Sequence, residues 1–144
     1  MPTWVEQGVE EYSKRLPPEL RLEFKPIALG KRGKGADIQR AINTEGQQMM
    51  AAIGQYDQVI ALDVLGKPWS TEKLALELQQ WQLQGDNISL LVGGPDGLAD
   101  ECLQRANQRW SLSALTLPHP LVRIVLAEQL YRAWTINSHH PYHR

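Results

Sequence analysis

The sequence has little cysteine, no long apolar run and almost no net charge, and each shortage excludes a class of protein. Cys102 is the only cysteine among the 144 residues, so no disulfide can form within the chain. No leader-like segment and no run of about 18 apolar residues is present, so we expect a soluble, cytoplasmic protein without a membrane partner. The 15 basic and 16 acidic side chains give a formal charge of -1, so a nucleic-acid partner would need a local basic patch.

Histidine is scarce as well, and most of it lies near the C-terminus in the segment NSHHPYHR. His139 and His143 are four residues apart, which is a spacing that metal-binding pairs use on helices. Pro141 lies between them and breaks the helix that such a pair needs, and Cys102 is remote in sequence. We therefore expect no metal site.

The length and the 42% hydrophobic content fit one domain with its own core. Hydrophobic periodicity and turn residues divide the chain into alternating helices and strands. Helices are predicted over 3–16, 36–53, from Ser70 or Thr71 to Gly85, after Gly97, and over 118–137. Strands are predicted over 22–29, 58–64, 87–94 and 110–117. This alternation predicts an α/β fold with a largely parallel sheet.

The stretch LLVGGPDGL, residues 90–98, changes from aliphatic residues to glycines at the point where a predicted buried strand ends. Ligands of open parallel sheets collect at the carboxyl ends of strands, and VIALDVLG shows a second such end. Gly93 would let a ligand lie on the peptide groups, although a tight turn also explains the glycines. The stretch matches neither a P-loop nor GxGxxG, so a ligand held mostly by backbone groups is favoured over a bare phosphate.

The C-terminal quarter offers hydroxyl groups and one titratable side chain before a long apolar helix. SLSALTLPHPLVR contains His119 as its only acid–base group, which we interpret either as functional or as a histidine that shapes its loop. The helix that follows is apolar on most of its circumference, so a second subunit is the expected cover, the alternative being a central helix of one small domain. Glu128 and Arg132, four apart, fit an ordinary surface ion pair.

The loop GKRGKG, residues 30–35, carries the cations Lys31, Arg32 and Lys34 between glycines. Glycine allows a phosphate to approach closely, so this loop is the best local candidate for RNA contact. A merely solvated basic loop explains the same pattern.

Five ordered motifs resemble the RlmH family of SPOUT-class methyltransferases: GKRGKGADI, LDVLGKPWST, LLVGGPDGL, SLSALTLPHPLVRIVLAEQLYRAW and HPYHR. The resemblance spans essentially the whole chain. It implies methylation of N3 of a pseudouridine in 23S ribosomal RNA, in the helix-69 loop on the assembled ribosome. It also implies an α/β fold with a C-terminal trefoil knot, a homodimer, and S-adenosylmethionine bound in the knot.

Carried over motif by motif, the resemblance assigns a cofactor site, an active-site tail and a missing strand. The implied cofactor contacts are Leu62, Gly93, Leu112, Ser113, Ala114, Leu115, Thr116 and Leu117. The implied catalytic residues, contributed across the dimer, are Tyr142, His143 and Arg144. Family members usually begin with a further strand, whereas Met1 aligns inside the loop before the first helix, so we expect the sheet to lack that strand. A knotted dimeric RNA-binding or ribosome-assembly module without transferase activity is the alternative function.

Overall fold

The structure is a computed structural model that describes residues 2–30, 33 and 37–143. In this part of the chain it contains five helices and three strands. The helices are α1 Thr3–Ser13, α2 Ile38–Ala52, α3 Thr71–Gln84, α4 Asp100–Arg105 and α5 His119–Asn137. The strands are β1 Gln58–Pro68, β2 Ile88–Val92 and β3 Gln108–Ser111. The chain divides into a helical unit (Met1–Lys25, Trp69–Gly85 and Leu117–Arg144) and a sheet unit (Pro26–Pro68 and Asp86–Thr116).

The helical unit is built around α5, with α1 and α3 packed against it. Val5 and Val9 are one turn apart on α1 and bury their side chains with Ala127 of α5. Asn137, at the end of α5, donates from Nδ2 to the carbonyl oxygen of Ala75 in α3 at 2.9 Å. Apolar burial holds the three helices together, and the side-chain hydrogen bond at the end of α5 adds a directional link between two of them.

Local capping explains why α3 begins and ends where the sequence predicts. Ser70 precedes the helix, and its Oγ accepts the backbone N–H of Lys73 at 3.1 Å, which satisfies one of the free donors of the first turn. The helix ends before Gly85, whose φ of 71° lies in the left-handed region. Both boundary predictions are confirmed.

The sheet unit has the strand order β2-β1-β3, and β1 is parallel to both neighbours. Val59 of β1 and Leu91 of β2 are buried in one cluster with Cys102 of α4. A central strand that is buried on both sides reads as a continuous apolar run, which is what the sequence of β1 shows. The prediction of an α/β fold with a parallel sheet is confirmed.

Two strand predictions are wrong in position or kind. The segment 22–29 forms no strand in the structure; Leu22 and Phe24 instead pack against the apolar cluster of the helical unit. Pro26 has no backbone N–H to donate to a ladder, which disfavours pairing of this segment. The strand predicted over 110–117 is β3, which lies earlier and ends at Ser111. The residues that follow it form the loop described below.

β1 is interrupted opposite β3 because both Leu62 and Lys67 pair with Trp110, so residues 63–66 lie outside the ladder. The excursion exposes Val64 and Leu65, the second of which is 88% accessible. A Cβ on Gly66 would lie 2.6 Å from the carbonyl carbon of Arg109, so glycine lets the chain return to the sheet here.

Gly66→Ala should destabilise the protein by about 1–3 kcal/mol, because the added methyl group meets the backbone of β3 rather than a movable side chain. Denaturant unfolding of the variant and the wild type measures this difference in the free energy of unfolding. The matched control is Val64→Ala in the same excursion, which should change the stability by less than about 0.5 kcal/mol because Val64 is exposed. Equal unfolding midpoints for Gly66→Ala and the wild type would contradict the proposed close approach.

Candidate functional site

The carboxyl ends of β2 and β3 lie at one edge of the sheet, because the strands are parallel, and β1 leaves its ladder at the same edge after Leu62. Leu62 of β1 is paired with Val92 of β2 on one side and with Trp110 of β3 on the other. Gly93 directly follows Val92, and the segment 112–116 begins two residues after Trp110. The structure thus brings Leu62, Gly93 and residues 112–116 to one edge from three separate parts of the sequence.

The glycine turn after β2 folds back on the strand end. The N–H of Gly97 donates to the carbonyl oxygen of Gly94 at 3.1 Å, and Gly97 has a φ of 85°. A Cβ on Gly93 would lie 2.8 Å from the carbonyl carbon of Gly97 and 3.1 Å from the backbone nitrogen of Leu98. The packing of the turn itself therefore requires glycine at position 93. This supports the explanation of the glycines by a tight turn, and it is compatible with a ligand that lies on the same peptide groups.

The loop after β3 is fixed by its own serines. Ser111 Oγ donates to the carbonyl oxygen of Ser113 at 3.2 Å, and Ser113 Oγ accepts the N–H of Leu115 at 2.9 Å. Residues 114–116 are nevertheless exposed, and Leu115 is 74% accessible. Leu117, the last residue of the implied cofactor segment, belongs to the helical unit and is half-buried. The loop is a preformed surface that presents an uncovered apolar side chain.

The implied cofactor residues bring apolar side chains, hydroxyl groups and peptide groups to this edge. Leu62 and Leu112 are half-buried aliphatic residues, Leu115 is exposed, and Ser113 and Thr116 supply hydroxyl groups beside the peptide groups of the loop. None of the implied cofactor residues carries a charge. A ligand at such a surface would be selected by shape and by hydrogen bonds to neutral groups, as at most small-molecule sites.

The C-terminal tail, residues 139–143, is turned back by a cap at the end of α5. His139 has a φ of 59° in the left-handed region, and the N–H of His140 donates to the carbonyl oxygen of Thr135 at 2.8 Å. This pattern is that of a Schellman cap with histidine in the place that glycine usually occupies. Pro141 follows and cannot extend the helix. The cap is what directs the tail back along the helical unit.

Tyr142 is held on three sides by residues of α5. Its hydroxyl donates to Glu128 Oε1 at 3.1 Å, and the guanidinium carbon of Arg132 lies 4.9 Å from the centre of its ring. The ring also meets Tyr131 edge to face, with 4.8 Å between the centroids. Burial, followed by the nearby carboxylate of Glu128, raises the pKa of Tyr142 above its usual value. The hydroxyl therefore stays protonated at neutral pH.

His143 is held through Arg132. Arg132 Nε donates to Glu128 Oε1 at 2.7 Å, and Arg132 Nη1 lies 3.2 Å from His143 Nδ1. His143 Nε2 lies 3.3 Å from Glu72 Oε1 on α3. The side chains of Glu128 and Arg132 are only 15% and 28% accessible, so this pair differs from the ordinary surface ion pair that the spacing predicts.

His119 and Cys102 lie in environments that disfavour their charged forms. His119 begins α5, and burial, followed by the charge of Arg123, lowers its pKa. Cys102 is buried in the sheet unit, and burial, followed by the charge of Glu101, raises the pKa of its thiol. An un-ionised thiol is a weak nucleophile, and a neutral His119 has no charge with which to pair with an anion.

Four predicted site residues lie outside the described residues: Lys31, Arg32, Lys34 and Arg144. Among the residues that the structure does describe, no three histidine, cysteine or acidic side chains form a group able to hold a metal ion. Within the same part of the chain, every helix is too short or too polar to cross a membrane.

A family model described as "Predicted SPOUT methyltransferase" matches residues 1–143 of the chain. The chain belongs to the SPOUT methyltransferase family. It is 58% identical over 144 residues to the ribosomal RNA large subunit methyltransferase H of Pseudomonas fluorescens, a match that covers all of this chain and 93% of that protein. Proteins of the same name from Marinomonas sp. and Ectopseudomonas mendocina match with the same identity and coverage. The resemblance to the RlmH family that the motifs indicate is confirmed.

Reasoning from the sequence missed the residues of this SPOUT protein that hold the tail. Glu72, Glu128 and Arg132 lie on two helices that are far apart in sequence, and only the fold brings them to Tyr142 and His143. The one available signal was the spacing of Glu128 and Arg132 on a helix that is mostly apolar. A charged pair on such a helix needs a polar partner or solvent, and the tail provides the partner.

Proposed function

We propose that this protein transfers a methyl group from S-adenosylmethionine to N3 of a pseudouridine in large-subunit ribosomal RNA. The observation that carries the proposal is the meeting of Leu62, Gly93 and residues 112–116 at one sheet edge in a chain of the SPOUT methyltransferase family. The 58% identical relatives are ribosomal RNA large subunit methyltransferases, which supports ribosomal RNA as the substrate. The helix-69 loop of 23S RNA on the assembled ribosome is the target that we propose.

The candidate cofactor residues suit the binding and orientation of the methyl donor. Peptide groups and hydroxyls of the loop after β3 would hold the polar parts, and Leu115 would cover an apolar face of the adenine. When bound, S-adenosylmethionine supplies a methyl group on a sulfonium, which is a good leaving group. The protein therefore has to fix the direction of approach, since displacement needs an aligned nucleophile at near-attack distance.

We propose that Tyr142, His143 and Arg144 supply the groups that handle the target base. Because Tyr142 donates its own proton to Glu128, the lone pairs left on its oxygen can accept a hydrogen bond from an N–H group such as N3–H. The raised pKa of Tyr142 favours this use as a neutral acceptor over use as a phenolate base, so the proton that N3 loses when the methyl group replaces it would be released to solvent water. Contribution of the tail across a dimer remains part of the proposal.

A homodimer and a basic RNA contact complete the proposal. Leu121 of α5 is 42% accessible in the single chain, and several other apolar side chains of that helix are only half-buried: Val122, Ile124, Val125, Trp134 and Ile136. A second copy related by two-fold symmetry would cover them. Lys31, Arg32 and Lys34 are the proposed phosphate contacts, and the trefoil knot stays a prediction.

Mass spectrometry of large-subunit RNA from cells with and without the gene tests the reaction and the target together. We expect one pseudouridine-containing fragment to become lighter by one CH₂ group when the gene is removed. Adding back the gene should restore the mass, whereas adding back a variant with Ala at positions 142 and 143 should not. Identical fragment masses with and without the gene would reject the proposed reaction.

Calorimetry with S-adenosylmethionine separates the enzyme from the alternative of a non-catalytic RNA-binding module. We expect the folded protein to bind the cofactor with a dissociation constant of order micromolar, which corresponds to about 8 kcal/mol of binding free energy. Absence of binding by folded protein that still binds ribosomal RNA would favour the module.

A further inference from the structure

We infer that Glu128 is a positioning residue that holds the catalytic tail, acting on Tyr142 directly and on His143 through Arg132. The inference rests on the proposed function, because it assigns a role to residues that serve that reaction. Glu128 lies in the middle of α5 and is 15% accessible, so its carboxylate needs partners within the protein. It has three: Arg132, the hydroxyl of Tyr142 and the side-chain amide of Gln129.

The first step concerns the orientation of Tyr142. A carboxylate only accepts hydrogen bonds, so the contact between Glu128 Oε1 and the Tyr142 hydroxyl fixes the direction of the phenolic proton. The Arg132 guanidinium and the Tyr131 ring restrict the aromatic ring on two further sides. Without Glu128, the hydroxyl would lose its acceptor and Arg132 would lose the anion that holds it over the ring.

The second step concerns the tautomer of His143. Arginine carries only donors, so His143 Nδ1, 3.2 Å from Arg132 Nη1, must accept with its lone pair. The ring proton then lies on Nε2, from which it donates to Glu72 Oε1 at 3.3 Å. The network thus assigns the Nε2–H tautomer, and it places Arg132, aligned by Glu128, opposite the one lone pair of the imidazole.

The chain contains a matched pair that separates this role from ordinary helix stabilisation. Lys73 and Glu77 lie four residues apart on α3 with 3.0 Å between charged atoms, and the Glu77 side chain is also 15% accessible. This pair belongs to the same helical unit, and within the described residues its side chains form no hydrogen bond or ion pair with residues 139–143. The carboxylates of Glu128 and Glu77 are equally buried and belong to ion pairs of equal spacing, but only Glu128 contacts the tail. Substituting each glutamate separately therefore isolates the effect of the tail contact.

The experiment compares Glu128→Ala and Glu128→Gln with Glu77→Ala and Glu77→Gln. Hydrogen exchange of the peptide that follows Asn137 reports the anchoring of the tail without any reaction. Single-turnover methyl transfer to ribosomes and calorimetry with S-adenosylmethionine report rate and affinity separately. We expect Glu128→Ala to speed exchange of the tail and to slow transfer by roughly 10- to 100-fold, since small misplacements of reacting groups have effects of that size.

The expected pattern has three further parts. Cofactor affinity should stay within about twofold in all four variants, and both Glu77 variants should transfer at the wild-type rate, because the ion-pair partner of Glu77 is Lys73 on the same helix and not a residue of the tail. Glu128→Gln should lose less than Glu128→Ala, because its amide oxygen still accepts from Tyr142. If Glu128→Ala unfolds, the isosteric Glu128→Gln carries the comparison.

Two results would overturn the inference. One is a tail in the folded Glu128 variants that exchanges as slowly as in the wild type. The other is a loosened tail with an unchanged rate of transfer, which would leave Glu128 a purely structural role. If the wild-type protein itself transfers no methyl group, the proposed function fails, and the exchange comparison alone still decides whether Glu128 anchors the tail.

Discussion

Ala114→Trp should abolish the binding of S-adenosylmethionine, lowering the affinity by at least about 100-fold in calorimetry. Ala114 lies in the exposed part of the loop after β3, so a large side chain there displaces no core atom of the single chain. It would instead occupy the space beside Leu115 and the peptide groups that the adenosyl group is proposed to use. The expected effect is large because a steric block removes the whole interaction rather than one contact.

Ala51→Trp is the control, since Ala51 is an exposed alanine of the same sheet unit, on α2. It should bind the cofactor as the wild type does. Gly93→Val should also abolish binding, yet it is a less selective test because a Cβ at Gly93 already meets Gly97 within the turn. Wild-type affinity in folded Ala114→Trp would place the cofactor elsewhere and remove the basis of the proposed site.

The sheet edge was predictable from the sequence because its causes are local. Apolar runs such as QVIALDV predict buried strands, and parallel strands put their carboxyl ends together whatever lies between them. The turn after Val92 needs glycine for its own geometry, and the sequence shows that glycine directly. The family resemblance then selected Leu62 and residues 112–117 from the several loops at that edge, which the pattern alone did not distinguish.

The predictions that differ from the structure do so because of packing between elements that are distant in sequence. The segment LEFKPIAL has the composition of a strand, but Leu22 and Phe24 are used to cover Val5 and Val9 of the helical unit instead of pairing with a neighbour. Strand propensity describes a residue that fits a half-buried surface, and such a surface exists outside sheets too. In the same way, the spacing of Glu128 and Arg132 describes a helix face but not what covers that face.

Removal of residues 141–144 should abolish methyl transfer, lowering the single-turnover rate by at least roughly 100-fold, while cofactor affinity stays within a few fold. The truncation takes away Tyr142 and His143 and therefore the groups proposed to orient the base. It keeps His140, whose N–H caps α5 by donating to Thr135 at 2.8 Å, so the helix end is preserved. A truncation that also removed His140 would mix loss of the tail with fraying of the helix.

His139→Gly is the matched control for the truncation, because it changes the tail without removing a proposed catalytic group. His139 has a φ of 59°, a conformation that glycine adopts more easily than histidine, so the substitution should keep the direction of the tail. It should therefore transfer methyl groups at close to the wild-type rate. Loss of transfer in the truncated protein alone, with calorimetry unchanged in both variants, would separate the handling of the base by the tail from the binding of the methyl donor at the sheet edge. A truncated protein that methylates ribosomal RNA as fast as the intact chain would instead mean that the base is handled by groups outside the tail.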